Sequence, residues 1–354
     1  MNRKVVMKND DAPLVSVVVV SWNGMEITRR CLVSILGQDY RPKEVIAVDN
    51  GSQEDIRGMV TGEFPAVRLI GLDKNTGFAG GYNRGIEAAN GKYVAVINND
   101  AVASPQWLSL MVDAAEKDEH IGSVASMIID GNRPGVLDSC GVGIALDGMS
   151  RQAMRGGPVP VLNEPVEVLL PSGCACLYRM EALKSTGLFD ESFFAYCEDT
   201  DLGLRLRWAG YRAVAAPGAE VTHYYSMTAG KFSLNKVFWV ERNHVWVAVK
   251  NFPAVLLPVV PCATVWRYVV QVYALATRSA ALDGFIGHAG LLRIIKTMFH
   301  ANLAAIAGIP IMLRKRAECV SGGSLSSFHM LRTILKFRLS MYEIIGGGAR
   351  HAGQ

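Results

Sequence analysis

The sequence predicts an α/β fold with a doubly wound, mostly parallel sheet, followed by an α-helical C-terminal region. Short β-branched runs alternate with helix-like segments over the first hundred residues, a pattern typical of right-handed βαβ crossovers. Polar clusters follow the predicted strands, as expected where ligands bind at the carboxyl ends of a parallel sheet. Beyond residue 231 the chain becomes apolar and basic, which indicates a region of a different kind.

The first four strands are predicted from apolar runs rich in valine and isoleucine. Leu14–Val20 is nearly all apolar, as expected of a strand buried on both faces, and helical periodicity then continues to Gly37. A glycine-rich turn opens a further helix at Tyr82–Ala89. The other strands are predicted at Glu44–Val48, Ala66–Ile70 and Tyr93–Ile97, with another helix after the first of these.

The next segment, residues 104–230, has a mixed pattern of short strands and helices. We expect helices at Leu108–Ala115 and Leu202–Ala209. The Pro- and Gly-rich stretch 155–160 is typical of a surface loop.

The last 124 residues are predicted to be helical. Phe232–Lys250 indicates an aromatic-rich helix with Arg242 and Asn243 inside it. Ala254–Thr277 is apolar and long enough to span a membrane, although Pro258, Pro261 and Arg267 disfavour an unbroken spanning helix. A second apolar stretch, Ala301–Leu313, precedes three basic residues.

Composition limits the class of protein. A chain of 354 residues with 50% hydrophobic residues is about the size of two domains and is not disordered. Seven cysteines without a C-x-x-C pair indicate neither a disulfide scaffold nor structural zinc, and thiols in a reducing cytosol fit best. The N-terminal residues lack a signal-peptide pattern. We predict a polar tail at 1–13, a folded body at 14–230 with halves 14–103 and 104–230, and a helical region at 231–354.

Charge is distributed unevenly between these parts. Residues 1–230 hold 21 Lys and Arg against 28 Asp and Glu, whereas residues 231–354 hold 15 against 4. An acidic body with a basic, apolar C-terminal region favours contact with an anionic surface. The basic residues are interleaved with aliphatic ones rather than clustered on a polar face, so nucleic acid is not expected as a partner. A helical hairpin packed on the body remains the alternative to membrane contact.

Two predicted strand ends carry residues suited to a nucleotide. Asp49 follows the second strand, where its carboxylate can accept a hydrogen bond from a nucleobase imide; an ordinary turn is the alternative. Gly77, Gly80 and Gly81 open a helix and allow an anion to approach its positive end, or let the helix pack closely on the sheet. Neither G-x-G-x-x-G after the first strand nor a P-loop is present.

Further acidic residues suggest a metal and a base. Asp100, after the fourth strand, can ligate a divalent ion beside a diphosphate, with a simple turn as the alternative. Glu198, Asp199 and Asp201 precede a predicted helix, where a carboxylate can act as general base or merely favour the helix dipole. His223 can bind metal or phosphate, although a single histidine usually does neither.

These motifs together resemble the family 2 glycosyltransferases with the GT-A fold, and most of all their rhamnosyltransferase-type branch. The resemblance covers residues 14–230, as a Rossmann-like nucleotide-binding half and a mixed acceptor half. The matching segments are VSVVVVSWNG, EVIAVDNGS, NTGFAGGYNRGI, YVAVINNDA, SGCACLYR, GLFDESFFAYCEDTDLGLRLRWAGYR and THYYSMT.

The resemblance implies roles for these residues. Asp49 would bind the nucleobase, Asp199 would be the catalytic base, and His223 would complete a metal site. The usual D-x-D motif reads Asn98-Asn99-Asp100, which leaves Asp100 as the carboxylate ligand of Mg²⁺ or Mn²⁺. Other residues expected to contact the donor, the acceptor or the base are Asn23, Asn75, Gly80, Gly81, Asn98, Asn99, Ser172, Gly173, Cys174, Glu198 and Asp201.

The implied reaction is an inverting transfer from a nucleoside diphosphate sugar. The branch suggests L-rhamnose from dTDP-L-rhamnose, and a cell-surface polysaccharide or polyprenyl-diphosphate-linked precursor as acceptor. A UDP-sugar donor (galactofuranose, galactose or N-acetylglucosamine) and a catalytically silent nucleotide-sugar binder are alternatives. We expect a peripheral protein on the cytoplasmic face of the membrane; a single-span, re-entrant or soluble cytoplasmic protein is the alternative.

Overall fold

The N-terminal half alternates strands and helices in the predicted order. The computed structural model describes residues 12–224, 233–276, 290–340 and 343–344. The first elements are β1 (Val15–Ser21), α1 (Met25–Leu36), β2 (Lys43–Asn50), α2 (Ile56–Glu63), β3 (Arg68–Leu72), α3 (Gly77–Glu87) and β4 (Tyr93–Asn98). All four predicted strands are confirmed, each within a few residues of its predicted ends.

The second half adds short strands and three helices. They are β5 (Ala101–Ala103), α4 (Trp107–Ala115), β6 (Ile121–Asp130), β7 (Leu137–Cys140), β8 (Val142–Ile144), β9 (Ser150–Gln152), β10 (Val166–Val168), β11 (Ala175–Arg179), α5 (Met180–Thr186), α6 (Glu198–Trp208) and β12 (Arg212–His223). The stretch 155–160 is a loop, as predicted.

One sheet contains ten of these strands, and β8 pairs with β9 in a separate two-stranded sheet. The order of the larger sheet is β10-β12-β6-β11-β4-β1-β2-β3, with β5 beside β12 and β7 beside β6. The strands β1 to β4 pair in parallel, and β12 is parallel to β6. The strand β11 runs antiparallel between β4 and β6, so the predicted parallel half continues into a mixed half.

Alternation along β1 directs its side chains to both faces of the sheet. Val15, Val17 and Val19 pack with α1, α2 and α4, whereas Val18 packs with α3, α5 and α6 on the opposite face. Each of these valines is at most 1% exposed. A strand buried on both faces requires such an uninterrupted apolar run.

The helix α6 begins earlier than the sequence predicts. It starts at Glu198 rather than Leu202, so Glu198, Asp199 and Asp201 lie in its first turn instead of before it. Carboxylates are favourable there because they face the positive end of the helix dipole. The predicted boundary was therefore wrong by one turn.

Four helices form the described part of the C-terminal region. They are α7 (Leu234–Asn251), α8 (Val259–Ala276), α9 (Leu291–Ser321) and α10 (Ser327–Lys336). The predicted apolar segment 254–277 is not one helix: a short 3-10 turn at Ala254–Leu256 precedes α8, and Thr277 lies outside the described residues. The second apolar stretch lies within the 31-residue helix α9.

The helix α7 joins this region to the sheet domain. Its Trp246 packs with Trp208 of α6 and with Phe252 in one buried cluster. The indole nitrogen of Trp246 donates to the backbone oxygen of Ala305 in α9 at 3.0 Å. A Cβ atom at Gly308 would lie 2.5 Å from the Trp246 ring, so only glycine allows α9 to approach this closely.

Candidate active site

A cleft of about 650 Å³ opens at the carboxyl ends of β1 and β4. The predicted site residues on its wall are Asn75, Asn98, Asn99, Asp100, Ser172, Gly173, Cys174, Glu198, Asp199 and His223. They come from both halves of the sheet and from the first turn of α6. Those that do not line the cleft are Asn23, Asp49, Gly80, Gly81 and Asp201.

Asp49 faces a separate, smaller pocket of about 350 Å³. Its carboxylate accepts a hydrogen bond from the Ser52 backbone nitrogen at 3.0 Å and pairs with Arg57 at 2.7 Å. The Asn23 side chain accepts a hydrogen bond from the Gln53 backbone nitrogen at 2.8 Å, so it helps to shape the same turn. Asp49 and Asn23 thus lie at the same turn, and the ion pair of Asp49 with Arg57 was not predicted.

The backbone oxygen of Asn23 connects this pocket to the cleft. It lies 3.3 Å from the side-chain nitrogen of Asn99, which lines the cleft. Asn99 also donates to Thr28 at 3.0 Å. The two cavities are therefore neighbours across one hydrogen-bonded turn.

The glycine-rich turn before α3 brings Asn75 and Gly77 to the cleft. The Asn75 side-chain oxygen accepts from the Gly77 backbone nitrogen at 2.8 Å, and Gly77 has a left-handed φ of 77°. The predicted contact of Gly80 and Gly81 with ribose or phosphate is not supported. A Cβ atom at Gly81 would lie 2.7 Å from Val20 of β1, so Gly81 lets α3 pack closely on the sheet, and one at Gly80 would lie 2.7 Å from Thr76, the residue that begins the same helix, so Gly80 leaves room for that side chain.

Asp100 and His223 form the centre of a buried polar chain. The Asp100 carboxylate lies 3.2 Å from Nε2 of His223, whose Nδ1 lies 3.4 Å from Asp138. Asp138 pairs in turn with Arg155 at 3.1 Å. Burial alone would lower the pKa of His223, but the Cys174 sulfur and the two carboxylates outweigh it and raise that pKa above its ordinary value, so the imidazole must release a proton when it binds a metal ion.

The donor set fits a metal ion only together with a substrate. Within the described ranges, no group of three or more His, Cys, Asp or Glu side chains gathers into a metal site. Asp100 and His223 can offer two ligands, and Mg²⁺ or Mn²⁺ commonly takes the rest from phosphates and water. The Asn98 side-chain oxygen lies 3.2 Å from the Tyr82 hydroxyl, which is closer to the backbone oxygen of Ile97 at 2.8 Å.

Asp199 reaches the cleft from the first turn of α6. One carboxylate oxygen accepts from the Gly173 backbone nitrogen at 3.0 Å, and the other from the Thr200 backbone nitrogen at 2.7 Å. Burial raises the pKa of Asp199, although these hydrogen bonds oppose the effect. A carboxylate with a raised pKa on a cleft wall suits a general base. Ser172 and Cys174 flank Gly173 on the same wall.

Glu198 also lines the cleft, but its environment is different. Its side chain is 5% exposed, and its Oε2 has no hydrogen-bond partner among the residues that the structure describes. Burial and the neighbouring Asp199 raise the pKa of Glu198 well above its ordinary value. The group therefore favours the protonated form.

The prediction that Asp201 contacts a sugar is wrong. Asp201 is fully buried; Arg205 donates to its Oδ2 at 2.8 Å, Asn251 donates to its Oδ1 at 2.9 Å, and the Lys250 ammonium lies 2.9 Å from both oxygens. Two residues along a helix correspond to a rotation of about 200°. Asp201 therefore points away from the cleft that Asp199 faces, and it anchors α6 to α7.

Sequence reasoning missed the contribution of α7 to the cleft. Lys236, Trp239 and Val240 of this helix line it, as do Arg151 and Arg155 of the preceding half. The only available signal was the aromatic residues and the Arg242-Asn243 pair inside an otherwise apolar helix. Such a signal does not reveal which face meets a ligand.

Comparisons with known proteins agree with this geometry. The profile of the Glycosyl transferase family 2 matches residues 16–187. The chain is 30% identical over 245 residues to an N-acetylglucosaminyl-diphospho-decaprenol L-rhamnosyltransferase of Mycobacterium tuberculosis. That alignment covers 61% of this chain and 77% of the relative.

Solved structures show the same fold. GalNAc-T7 with UDP, GalNAc and Mn²⁺ has a TM-score of 0.58 at 17% identity, over 70% of this chain and 49% of that chain. A mannosyltransferase from Pyrobaculum calidifontis in complex with GDP-Man and Mn²⁺ has a TM-score of 0.51 at 19% identity, over 88% and 86% of the two chains. The predicted GT-A fold is therefore confirmed.

Proposed function

Because the chain belongs to glycosyltransferase family 2, we propose that it transfers L-rhamnose from dTDP-L-rhamnose to a hydroxyl group, with inversion at the anomeric carbon. The acceptor in this proposal is a cell-surface polysaccharide or a lipid-linked glycan precursor. One observation carries it: Asp199 and the Asp100–His223 pair share the wall of one cleft. A base and a diphosphate site are the two parts that such a displacement requires.

Asp199 acts as the base in this proposal. Its carboxylate is held by the Gly173 and Thr200 backbone nitrogens, so it faces the cleft in one orientation. It accepts the proton of the acceptor hydroxyl while that oxygen attacks the anomeric carbon. Positioned general bases typically contribute about 10²–10⁴-fold to the rate. Glu198, mostly protonated, keeps a second negative charge away from the reacting carboxylate.

Asp100 and His223 would hold a divalent ion at the diphosphate end of the donor site. Mg²⁺ or Mn²⁺, when bound, neutralises negative charge on the leaving diphosphate. Asp138 orients the His223 ring by its contact with Nδ1, as partners of metal-binding histidines commonly do. Asp49 and Asn23 bind the nucleoside, and the ion pair with Arg57 holds the Asp49 carboxylate in its orientation.

The choice of rhamnose depends on the mycobacterial relative, whose name gives L-rhamnose as the transferred sugar. A UDP-sugar donor is the second candidate, because UDP is bound in one of the structures with this fold. The name of the mycobacterial relative also contains a lipid diphosphate, N-acetylglucosaminyl-diphospho-decaprenol. This supports a polyprenyl-diphosphate-linked acceptor for the present chain.

The outer surface of the C-terminal helices supports a location at a membrane. Large apolar side chains repeat along one face of α9, where Leu292 is 83%, Phe299 61% and Ile306 62% exposed. The opposite face is buried at Ala301 and Ala305. Exposed apolar patches of this kind commonly mark protein or membrane contacts, and the basic charge of this region favours an anionic leaflet.

Peripheral binding on the cytoplasmic face is the arrangement we propose. By length and composition, Leu291–Val320 is long and apolar enough to cross a membrane, but its inner face is packed on Trp246 of α7. The other apolar helix, α8, is fixed by Arg267, which is fully buried and paired with Glu241 and Asp147. Both helices can therefore lie on a leaflet while they stay packed on the body.

A donor screen tests the proposed function. Purified protein is offered dTDP-rhamnose, UDP-galactose, UDP-N-acetylglucosamine and GDP-mannose, with Mn²⁺ and a glycan acceptor, and the release of nucleoside diphosphate is recorded. We expect turnover with dTDP-rhamnose that Asp199→Asn abolishes. Turnover confined to a UDP-sugar would replace the rhamnose assignment. Binding of a donor without any turnover would support the silent binder instead.

A further inference from the structure

The first helix of the C-terminal region forms part of the cleft wall. Lys236, Trp239 and Val240 of α7 line the cleft together with Tyr196. Tyr196 precedes the first turn of α6, which we call the catalytic turn because it carries Asp199. The helix α7 lies outside residues 16–187, the part of the chain that the family profile matches. The roles that the resemblance implies also do not include these side chains.

Trp239 presents an aromatic surface at this wall. Its ring centroid lies 5.0 Å from that of Phe194 and 6.3 Å from that of Tyr196, with which it is stacked at an interplanar angle of 28°. These neighbours fix the orientation of the indole, so little conformational entropy is lost when a ligand packs on it. The apolar C–H face of a sugar ring is a suitable partner for such a fixed aromatic surface.

Lys236 places a positive charge beside that surface. Its ammonium group lies 5.2 Å from the centroid of the Tyr196 ring, and it forms no ion pair with any residue in the described part of the chain. Burial and the nearby charge of Arg155 lower the pKa of Lys236, against a smaller effect of Asp138. A partly buried cation with a second cation nearby is stabilised when an anionic ligand binds.

We propose that Lys236 and Trp239, with Tyr196 behind them, bind the acceptor as a sugar attached to a phosphate group. The sugar ring packs on Trp239, and phosphate oxygens accept hydrogen bonds from the Lys236 ammonium. This inference rests on the proposed glycosyl transfer and adds to it the residues that select a charged acceptor. The diphosphate of the donor has the same chemistry as the phosphate of the acceptor, so the experiment measures binding of the acceptor and of the donor separately.

The experiment compares two acceptors that differ only in charge. One is N-acetylglucosaminyl diphosphate with a short alkyl chain, and the other is the neutral alkyl N-acetylglucosaminide. Calorimetry gives their Kd values for the full chain and for Lys236→Gln, with Lys184→Gln, an exposed lysine of α5, as matched control. We expect Lys236→Gln to weaken binding of the diphosphate by about 10- to 100-fold, the range for a hydrogen bond to a charged group, and to leave the neutral acceptor within twofold.

Trp239 is tested with the same two probes. Trp239→Ala should weaken both acceptors equally, because the sugar ring is common to them, and Trp239→Phe should restore most of the binding. Melting temperatures of all variants identify any that are merely unfolded. Equal loss of both acceptors in Lys236→Gln would overturn the phosphate contact.

The donor arm of the experiment uses the nucleoside diphosphate alone. If Lys236→Gln weakens nucleoside diphosphate binding and leaves the charged acceptor unchanged, the cation serves the donor and the proposal is wrong. Release of nucleoside diphosphate in the presence of both nucleotide sugar and acceptor reports on the proposed function separately. Absence of that reaction in the unmodified protein would count against glycosyl transfer, whereas the calorimetric comparison would still decide the acceptor site.

Discussion

The side-chain nitrogen of Asn243 in α7 lies 2.7 Å from the backbone oxygen of Tyr196. It also contacts the backbone oxygens of Phe193 and Ala195, each at 3.0 Å. Within this segment Phe194, Tyr196 and Cys197 have left-handed φ values of 65°, 67° and 67°. Such values are unfavourable for residues other than glycine, so Asn243 holds a strained segment that leads directly into the catalytic turn.

Replacing Asn243 should therefore affect catalysis more than donor binding. In Asn243→Ala the three carbonyl groups lose their common donor, and the segment can relax away from the conformation that orients Asp199. We expect kcat to fall about 10-fold or more, the usual cost of misplacing a catalytic group, with the donor KM within twofold. Steady-state kinetics check this, with Asn235→Ala, on the exposed face of the same helix, as control. An unchanged kcat would contradict the positioning role.

Removal of the base has a larger expected effect. Asp199→Asn is nearly isosteric and keeps one oxygen that can accept from either the Gly173 or the Thr200 backbone nitrogen, but its NH2 group cannot accept from the other nitrogen and cannot take a proton. We expect kcat to fall by about 10²–10⁴, with donor Kd little changed. Near-normal turnover in a variant with an unchanged melting temperature would show that another group is the base.

The dependence of kcat on pH should reflect the ionisation of Asp199. Burial raises the pKa of Asp199 above its ordinary value, and only the ionised form can accept a proton. Activity should therefore be lost as the pH falls through this raised pKa, so the acidic limb of kcat should lie above the range of an ordinary aspartate. An acidic limb within that ordinary range would contradict the assignment.

Replacement of Asp100 is expected to affect binding of the donor rather than proton transfer from the acceptor hydroxyl. Asp100→Ala removes the carboxylate that lies 3.2 Å from Nε2 of His223, so a metal ion would keep too few protein ligands. We expect weaker donor binding and no response of activity to added Mn²⁺. Full activity of the unmodified protein in excess EDTA would show that the reaction needs no metal.

Arg267 tests how the C-terminal helices are held. It is fully buried and pairs with Asp147 at 2.7 Å and Glu241 at 2.8 Å. Arg267→Leu leaves two buried carboxylates without their partner, which typically costs about 3–5 kcal/mol of unfolding free energy. Denaturant unfolding checks this, with the exposed Arg293→Leu as control; similar stabilities of the two variants would contradict it.

Acid should destabilise the same network. Burial would raise the pKa of Glu241, but hydrogen bonds from His244 and Arg267 and the charge of Arg267 hold that pKa well below its ordinary value. A carboxylate of this kind stabilises the fold above its unfolded-state pKa, and the stabilisation is lost as the pH falls. The stability difference between the unmodified protein and Arg267→Leu should therefore shrink in acid.

The sheet could be predicted because the relevant information is local. A run such as Val15–Ser21 specifies a buried strand through its own side chains, and strand ends locate polar residues at one edge of a parallel sheet. The side-chain contacts of the site are not local. Asp138 and His223 are 85 positions apart in the sequence, and Asn243 and Phe193 are 50 positions apart. No rule of sequence spacing predicts contacts over such separations.

Two errors have specific physical causes. A glycine is required both where an anion approaches a helix end and where a helix packs closely on a sheet, so the pattern around Gly80 and Gly81 could not distinguish the two. The start of α6 was placed after Asp201, since acidic residues are common both before a helix and in its first turn. With the start at Glu198, helical geometry alone would have turned Asp201 away from Asp199.

The exposed apolar face of α9 allows peripheral and spanning modes of membrane binding to be distinguished. Burying aliphatic side chains contributes about 25 cal/mol per Å², and each basic residue near an anionic leaflet about 1 kcal/mol, which fades beyond a Debye length. A helix that lies on the leaflet and stays packed on Trp246 should be released mostly by high salt or alkaline carbonate. A spanning helix should be released by detergent alone.

We expect the first outcome, because crossing the bilayer would separate Ala301 and Ala305 from α7. Replacing the exposed Leu292, Phe299 and Ile306 together by serine should then shift the protein to the supernatant without changing its melting temperature, since these side chains point away from the body. The exposed but distant Val33→Ser is the control. Detergent-only release would contradict peripheral binding. Recovery of the unmodified protein wholly in the supernatant would contradict both arrangements and would leave α9 as a helix packed on the body.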